Sequence, residues 1–263
     1  MPHVQTRLGG LFVESIGQGP AITMWHCLLG DSRIWQPQLE ALSKQARVVL
    51  VDGPSHGRSD PFFRRFSMME CALAWLEVLD SLEIDRAAFC GLSWGAMAAL
   101  RVALHAPARV RALALFGATS VAHHPRDVPR FFALVGAVRL VGMHPLLHPF
   151  VARTMVAPSS DPRHARELLQ RARLLDRRAL SKAIRSVLLD ADDVTHELWR
   201  LKMPALVAVG SRDPMTPRRL SRTIAKSMTT ARLEIVAGMG HLLPLEAPEA
   251  TTGLLAELVR RTA

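Results

Sequence analysis

The sequence predicts an α/β fold, a mostly parallel central sheet flanked by helices with a block of helices inserted late in the chain. Three observations carry this. Short apolar or β-branched runs alternate with helix-patterned segments, the rhythm of parallel strands joined by crossover helices. The rhythm stops between 120 and 200 and then resumes. The chain has 263 residues, 49% hydrophobic and 21% charged. That suffices for one large domain burying roughly 75% of its unfolded surface, which excludes a disordered chain.

Taken in order, a hairpin at 4–7 and 11–15 around Gly9-Gly10 opens the chain. Strands follow at 21–25, 47–51, 87–91, 110–116, 205–209 and 232–236, each a short apolar or β-branched run. Helices are expected at 34–44, 67–82, 94–105, 217–226 and 248–261. The second has the clearest start, because Ser67 and Glu70 have the spacing of a capping box and Met69, Leu73, Leu76 and Leu79 then line one face. Between 120 and 200 no strand pattern appears. Phe131, Phe132, Val135, Met143, Leu146, Leu147, Phe150 and Met155 supply more apolar bulk there than a surface loop needs. Either this helical insertion covers something or it has a small core of its own. The expected division is a core of 1–119 and 201–263 with a cap of 120–200 between its parts.

The net charge is +10, from 29 arginines and 4 lysines against 23 acidic residues. The densest stretch, 163–185, also holds Glu167 and Asp176. Its Leu168, Leu169, Ala172, Leu175, Leu180, Ala183, Ile184 and Val187 recur at helical spacing, so the arginines read as solvated faces of amphipathic helices. No helix-turn-helix, zinc-finger or aromatic RNA-binding signature accompanies them, and no nucleic-acid partner is expected. The longest apolar uncharged stretch, 87–100, falls short of the roughly 20 residues that span a bilayer, so no membrane partner is expected either. Glu14 ends the apolar run after Arg7 with no cleavage site following, and the chain reads as cytoplasmic. Cys27, Cys71 and Cys90 make an odd count without a Cys-x-x-Cys pair, the pattern of reduced thiols. His144 and His148 are four apart, but Pro145 and Pro149 interrupt them and no glutamate joins them, so no metal is expected. With no glycine-rich phosphate loop, no cofactor is expected. No motif specifies an oligomeric state.

The most specific signal is Gly91-Leu92-Ser93-Trp94-Gly95, a strand running through a tight turn into a helix. Such a turn strains its central residue, and only glycine at the flanking positions permits the close packing. It lifts Ser93 Oγ above the sheet as a nucleophile and sets the Trp94 N–H at a helix N-terminus, where it can stabilise a substrate oxyanion. A serine hydroxyl needs a base to take its proton. Of 11 histidines, His241 follows the last strand on a loop, at the sheet edge where sites are built. The carboxylate that orients it is expected to be Asp213, after the strand 205–209, although Asp192 or Asp193 could supply the acid and Asp213 could instead be an Asx-turn or a helix cap. The order Ser93, Asp213, His241 is the one expected for this nucleophile turn.

These segments, with 26–35, Asp52-Gly53-Pro54-Ser55-His56-Gly57-Arg58-Ser59, 210–217, Gly240-His241-Leu242 and Glu246-Ala247-Pro248-Glu249, resemble an α/β-hydrolase with a helical cap over nearly the full chain. Within that superfamily the chain is most similar to lactonase and esterase branches such as 3-oxoadipate enol-lactonases. The resemblance implies a second oxyanion donor, the Leu28 N–H, on the loop after strand 21–25. Two departures stand out: His26-Cys27 where the family commonly has His-Gly, and Pro54-Ser55-His56-Gly57 where it has Pro-Gly-His-Gly. Cys27 has no second base beside it beyond His26, and His26 and His56 read as packing or loop-bracing residues.

The expected activity is cofactor-free hydrolysis, through an acyl-enzyme, of a small-molecule carboxylic ester or lactone with hydrophobic or aromatic character. Trp94, Phe131, Phe132, Val135, Met143, Leu147, Met155 and Leu242 are expected to contact the substrate. Two alternatives remain open: C–C bond hydrolysis of a vinylogous diketone by the same triad, and a slow-turnover ligand-binding receptor on the same scaffold.

Overall fold

The computed structural model describes residues 3–262. The chain opens with β1 (His3–Thr6), β2 (Gly9–Ile16), β3 (Ala21–Trp25), α1 (Gln36–Ser43), β4 (Arg47–Val51) and α2 (Met68–Ser81). It continues through β5 (Ala87–Leu92), α3 (Trp94–His105) and β6 (Val110–Phe116). Four helices follow, α4 (Val128–Val141), α5 (His148–Met155), α6 (Pro162–Ala172) and α7 (Arg177–Leu188). The chain closes with β7 (Ala205–Gly210), α8 (Arg218–Ser227), β8 (Ala231–Val236), α9 (Leu243–Glu246) and α10 (Pro248–Thr262).

The strands form one eight-stranded sheet in the order β1-β2-β4-β3-β5-β6-β7-β8. β1 and β2 pair antiparallel with their neighbours and every other pairing is parallel. β3, β5 and β7 are buried at every residue, because helices cover both faces of a parallel sheet, and this is why they read as apolar runs, broken only by Thr23. The expected strands at 21–25, 47–51 and 110–116 and the helix at 94–105 have the observed bounds. The helix expected at 34–44 starts instead as a 3-10 turn at Ser32–Trp35, where Asp31 accepts from the Arg33 N–H, and turns regular only at Gln36.

α2 begins at the capping box: Ser67 Oγ accepts from the Glu70 N–H at 3.1 Å and Glu70 Oε2 from the Ser67 N–H at 2.8 Å. Its buried face differs from the expected one. Leu76 and Leu79 are buried as expected, but Met69 is exposed and Leu73 half-buried, and Met68, Cys71, Trp75 and Val78 are buried in their place. Trp75 sets the rotation, since its indole N–H donates to Thr23 Oγ1 on β3 at 2.6 Å and its ring packs on Trp25 and Phe89.

The four helices between β6 and β7 leave and rejoin the sheet at one place. Ser120 O accepts from the Val194 N–H at 2.9 Å, and Ser120 Oγ lies 2.7 Å from Thr195 Oγ1. Nearby, the buried Arg101 of α3 reaches Asp192 O at 2.6 Å and Asp192 Oδ1 at 2.9 Å. The apolar sides of α6 and α7 face inward as their spacing predicts, with Leu168, Leu169, Ala172, Leu180, Ala183, Ile184 and Val187 buried and Leu175 half-buried. Among the described residues the insertion does not have a separate small core: its inner residues join the core cluster of the sheet, and some of them also roof a cavity over the strands' carboxyl ends.

Candidate active site

Ser93 stands between β5 and α3 at φ 55° and ψ −108°, a conformation that L-residues rarely adopt and that this turn imposes. A Cβ on Gly91 would lie 2.1 Å from the Gly95 carbonyl carbon, and one on Gly95 would lie 2.3 Å from Trp25 O, so both flanking positions need glycine. The turn also sorts its backbone donors. The Ser93 N–H donates to Phe116 O at 2.8 Å and the Gly95 N–H to His26 O at 3.2 Å, whereas the Trp94 N–H between them has no acceptor among the described residues.

The loop after β3 repeats this pattern. The Leu29 N–H donates to His56 Nε2 at 3.1 Å and the Gly30 N–H to Cys27 O at 3.0 Å, while the Leu28 N–H has no acceptor among the described residues. Two neutral imidazoles hold that loop. His26 Nε2 accepts from the Gly53 N–H at 2.8 Å and its Nδ1 lies 2.7 Å from Cys27 O; His56 Nδ1 lies 2.9 Å from Pro54 O. A nitrogen that accepts from an amide carries no proton, so each ring donates through Nδ1. Burial pushes both pKa values down, that of His56 to about 3 with the charge of His26 adding to the effect. Burial likewise pushes the Cys27 thiol up to about 12, which keeps it protonated and a poor nucleophile.

His241 and Asp213 come together from the loops after β8 and β7. His241 Nδ1 lies 2.8 Å from Asp213 Oδ2, and both side chains are buried. The other oxygen, Oδ1, accepts from the Met215 and Thr216 N–H groups at 2.9 and 2.8 Å, so Asp213 orients the imidazole and forms the Asx-turn at once. Asp192 is held by Arg101, and Asp193 accepts from the Thr195 N–H, so neither reaches the histidine. Ser93 and His241 share the wall of one cavity. Ser93 Oγ has no hydrogen bond among the described residues, and catalytic contacts of this kind commonly tighten only when substrate is present.

Three supports of this pair lay outside the sequence reading. Thr216 Oγ1 donates to Asp213 Oδ2 at 2.7 Å and lies 3.2 Å from His241 Nδ1. Gly117, at φ 50°, leaves the space into which a Cβ would press within 3.0 Å of the imidazole. Glu246 fastens the histidine loop to the cap, accepting from the Gly240 and Leu242 N–H groups at 2.8 Å and from the Ala157 N–H at 3.1 Å. The spacing of Thr216 and Glu246 from Asp213 and His241 was the available signal.

The cavity is walled chiefly by apolar side chains, and Phe131, Met143 and Met155 take part as expected. Five expected contacts need correction. Trp94 turns its indole away from the cavity, stacked on Phe66 at 5.8 Å and edge-on to Trp25 at 5.4 Å, and Met97 one turn later lines the wall instead. Leu242 is fully buried and lies outside the cavity lining. Phe132 points outward beneath the Arg185 guanidinium, because one residue along a helix is a rotation of about 100° from Phe131. Val135 and Leu147 pack half-buried against the core rather than along the cavity. Leu134, Ile184 and Val187 occupy the wall in their place.

Among the described residues no group of three or more His, Cys, Asp or Glu side chains is placed to hold a metal, and no helix is long and apolar enough to cross a membrane. The His144 and His148 rings serve locally, the first accepting from the Leu146 N–H at 3.3 Å and the second lying 3.2 Å from Met143 O.

Comparison with known proteins places this geometry. The chain is 29% identical to 3-oxoadipate enol-lactonase 1 of Acinetobacter baylyi over 88% of its own length and 85% of that protein's. It is 28% identical to a 2-hydroxy-6-oxononadienedioate/2-hydroxy-6-oxononatrienedioate hydrolase of Burkholderia vietnamiensis, over 93% and 85% of the two chains. The crystal structure of the enol-lactonase from Burkholderia xenovorans superposes with a TM-score of 0.89 at 25% identity, covering 98% of this chain and 100% of that one. A family model described as alpha/beta hydrolase matches residues 24–253, and with the elbow, the sheet order and these likenesses in agreement, the chain belongs to the alpha/beta hydrolase family.

Proposed function

We propose that the protein is a serine hydrolase that cleaves a carboxylic ester or lactone, with a substantial apolar portion, through an acyl-enzyme. One observation carries this reading: His241, paired with the buried Asp213, lines the same cavity as the strained Ser93, whose Oγ has no hydrogen bond among the described residues. His241 takes the Ser93 proton through Nε2 as Oγ attacks the carbonyl, and the Asp213 carboxylate stabilises the imidazolium that forms. The Trp94 and Leu28 N–H groups then bind the tetrahedral oxyanion, which costs no rearrangement because neither has another acceptor to give up. His241 returns its proton to the leaving alcohol, and water, activated by the same base, releases the acid.

Phe131, Leu134, Met143, Met155, Ile184 and Val187 favour an apolar acyl or alkyl group beside the reacting carbon. The Burkholderia vietnamiensis relative supports a second reading, C–C bond hydrolysis by the same residues. A panel of esters, lactones and vinylogous diketones, run beside fluorophosphonate labelling followed by intact mass, tests both. The ester reading expects one adduct, on Ser93, and turnover of esters or lactones. Labelling that survives Ser93→Ala, or turnover of the diketones alone, overturns it.

A further inference from the structure

We propose that the outer surface of the four-helix insertion docks onto an anionic lipid bilayer through α4, the segment leading into α5, and the arginines around them. The first observation is α4 itself. Ten of its fourteen residues are apolar, yet only Phe131 and Val138 are buried. A helix apolar on all sides ordinarily sits inside a protein, and this one leaves Phe132, Ala133, Leu140 and Val141 exposed. Leu140 is 70% exposed and Val141 56%, and just beyond them Leu146 is 83% and Phe150 58% exposed. Leu146 in the turn before α5 and Phe150 in its first turn are both exposed, whereas Val151 and Met155 are buried.

The second observation is charge. Segment 126–185 holds twelve Arg and Lys against four Asp and Glu, +8 of the chain's +10 within 60 residues. Eleven of the twelve are arginines, which bind phosphate oxygens in pairs. Arg139, Arg153, Arg173, Arg177 and Arg178 are exposed and make no ion pair among the described residues, so their charge is not spent within the fold. Arg177 donates to Leu140 O, and Arg173 and Arg177 flank Leu174, itself 86% exposed, so charged and apolar groups are interleaved.

Exposed aliphatic side chains ringed by arginine suit a surface with an apolar interior and anionic headgroups. A second copy of this chain fits poorly, because it would set the exposed Arg139, Arg153, Arg173, Arg177 and Arg178 against like charge. A lipid surface needs no shape complementary to four separate protruding side chains, which a folded acidic partner would have to supply. Phe150 and Arg130 belong both to this surface and to the cavity wall, so docking places the cavity mouth at the interface. That an amphiphilic ester then enters directly from the bilayer rests on the hydrolase reading above; the docking does not.

The test is sedimentation of the Ser93→Ala protein with vesicles of phosphatidylcholine alone or with about 30% phosphatidylglycerol. Partition onto the anionic vesicles is expected to be at least about tenfold stronger and to weaken as salt rises. Leu146→Asp with Leu140→Asp, and separately Arg173→Glu with Arg177→Glu, are each expected to lower it about tenfold or more. With Ser93 intact, both pairs should hydrolyse a short water-soluble ester at the parental rate. Equal partition onto the two vesicles, no partition at all, undiminished partition of both variants, or a dimer that the Leu→Asp pair dissociates would each overturn the proposal. So would binding to a soluble acidic protein without binding to vesicles. Loss of vesicle binding with ester turnover intact condemns the docking alone; loss of turnover with docking intact condemns only the hydrolase reading.

Discussion

The sheet side and the cap side of the cavity are built by opposite rules. Below it, Ser93, His241 and Asp213 are held by backbone: a strained turn, an Asx-turn, and glycines that nothing larger can replace. Above it, the wall is a set of interchangeable apolar side chains, with Phe131 and Met143 facing the cavity and Phe132 facing outward. On the proposed function, the floor is expected to tolerate little change and to carry the chemistry, and the roof to set the choice of substrate.

Removing the nucleophile should give the largest effect and tie chemistry to the floor. Ser93→Ala is expected to lose on the order of 10⁶ in kcat on the best ester of the panel, with substrate binding retained. Parental activity in that variant would end the serine mechanism. Asp213→Asn comes next. It keeps an oxygen for the Met215 and Thr216 N–H groups while favouring the wrong imidazole tautomer, so a loss of about 10⁴ in kcat with little change in Tm is expected. A large fall in Tm would show that the carboxylate mainly holds the loop.

The roof should respond differently. Met143→Ala or Phe131→Ala is expected to shift the ratio of kcat/KM for large against small acyl groups about tenfold, and Phe132→Ala about twofold at most. An equal shift from Phe132→Ala would mean that α4 turns over during binding. The smallest effect concerns the bracing imidazoles. In the unfolded chain His56 takes a proton near pH 6.5, and in the fold only near pH 3, so the stability it contributes is complete above about 6.5 and lost as pH falls toward 3. Tm is expected to drop by about 5 °C or more between pH 7 and pH 4, and less steeply in His56→Gln. Parallel slopes would assign the loss to other groups.

The same division governed what could be read from the chain. The elbow was legible because its chemistry is a local pattern: two glycines, one serine, a strand before and a helix after. β3 and β6 were legible because burial on both faces leaves a short run that is apolar but for Thr23 and Arg111. The roof was not, since α4 is apolar all around and offers no period to mark an inward side, so Phe131 and Phe132 look alike in sequence. Trp94 shows the same limit within one residue. Its backbone position follows from the turn, but the direction of its indole is set by Trp25 and Phe66, which are remote in sequence. For Leu28 the residues alone supplied no signal, and only family resemblance singled it out.

The hydrogen bond between Ser120 and Val194 has a consequence for descent. Because the insertion departs and returns at one point, its exchange for another segment leaves the Gly117 N–H meeting Ala208 O at 2.9 Å and β6 paired with β7, but it removes Met155 O, which accepts from the His241 N–H at 3.2 Å, and the Ala157 N–H that Glu246 holds. Recombination at that joint would keep the strands paired, yet an incoming segment would have to supply these two contacts again. Replacing the whole roof on this scaffold is thus limited less by the sheet than by the loop that carries His241.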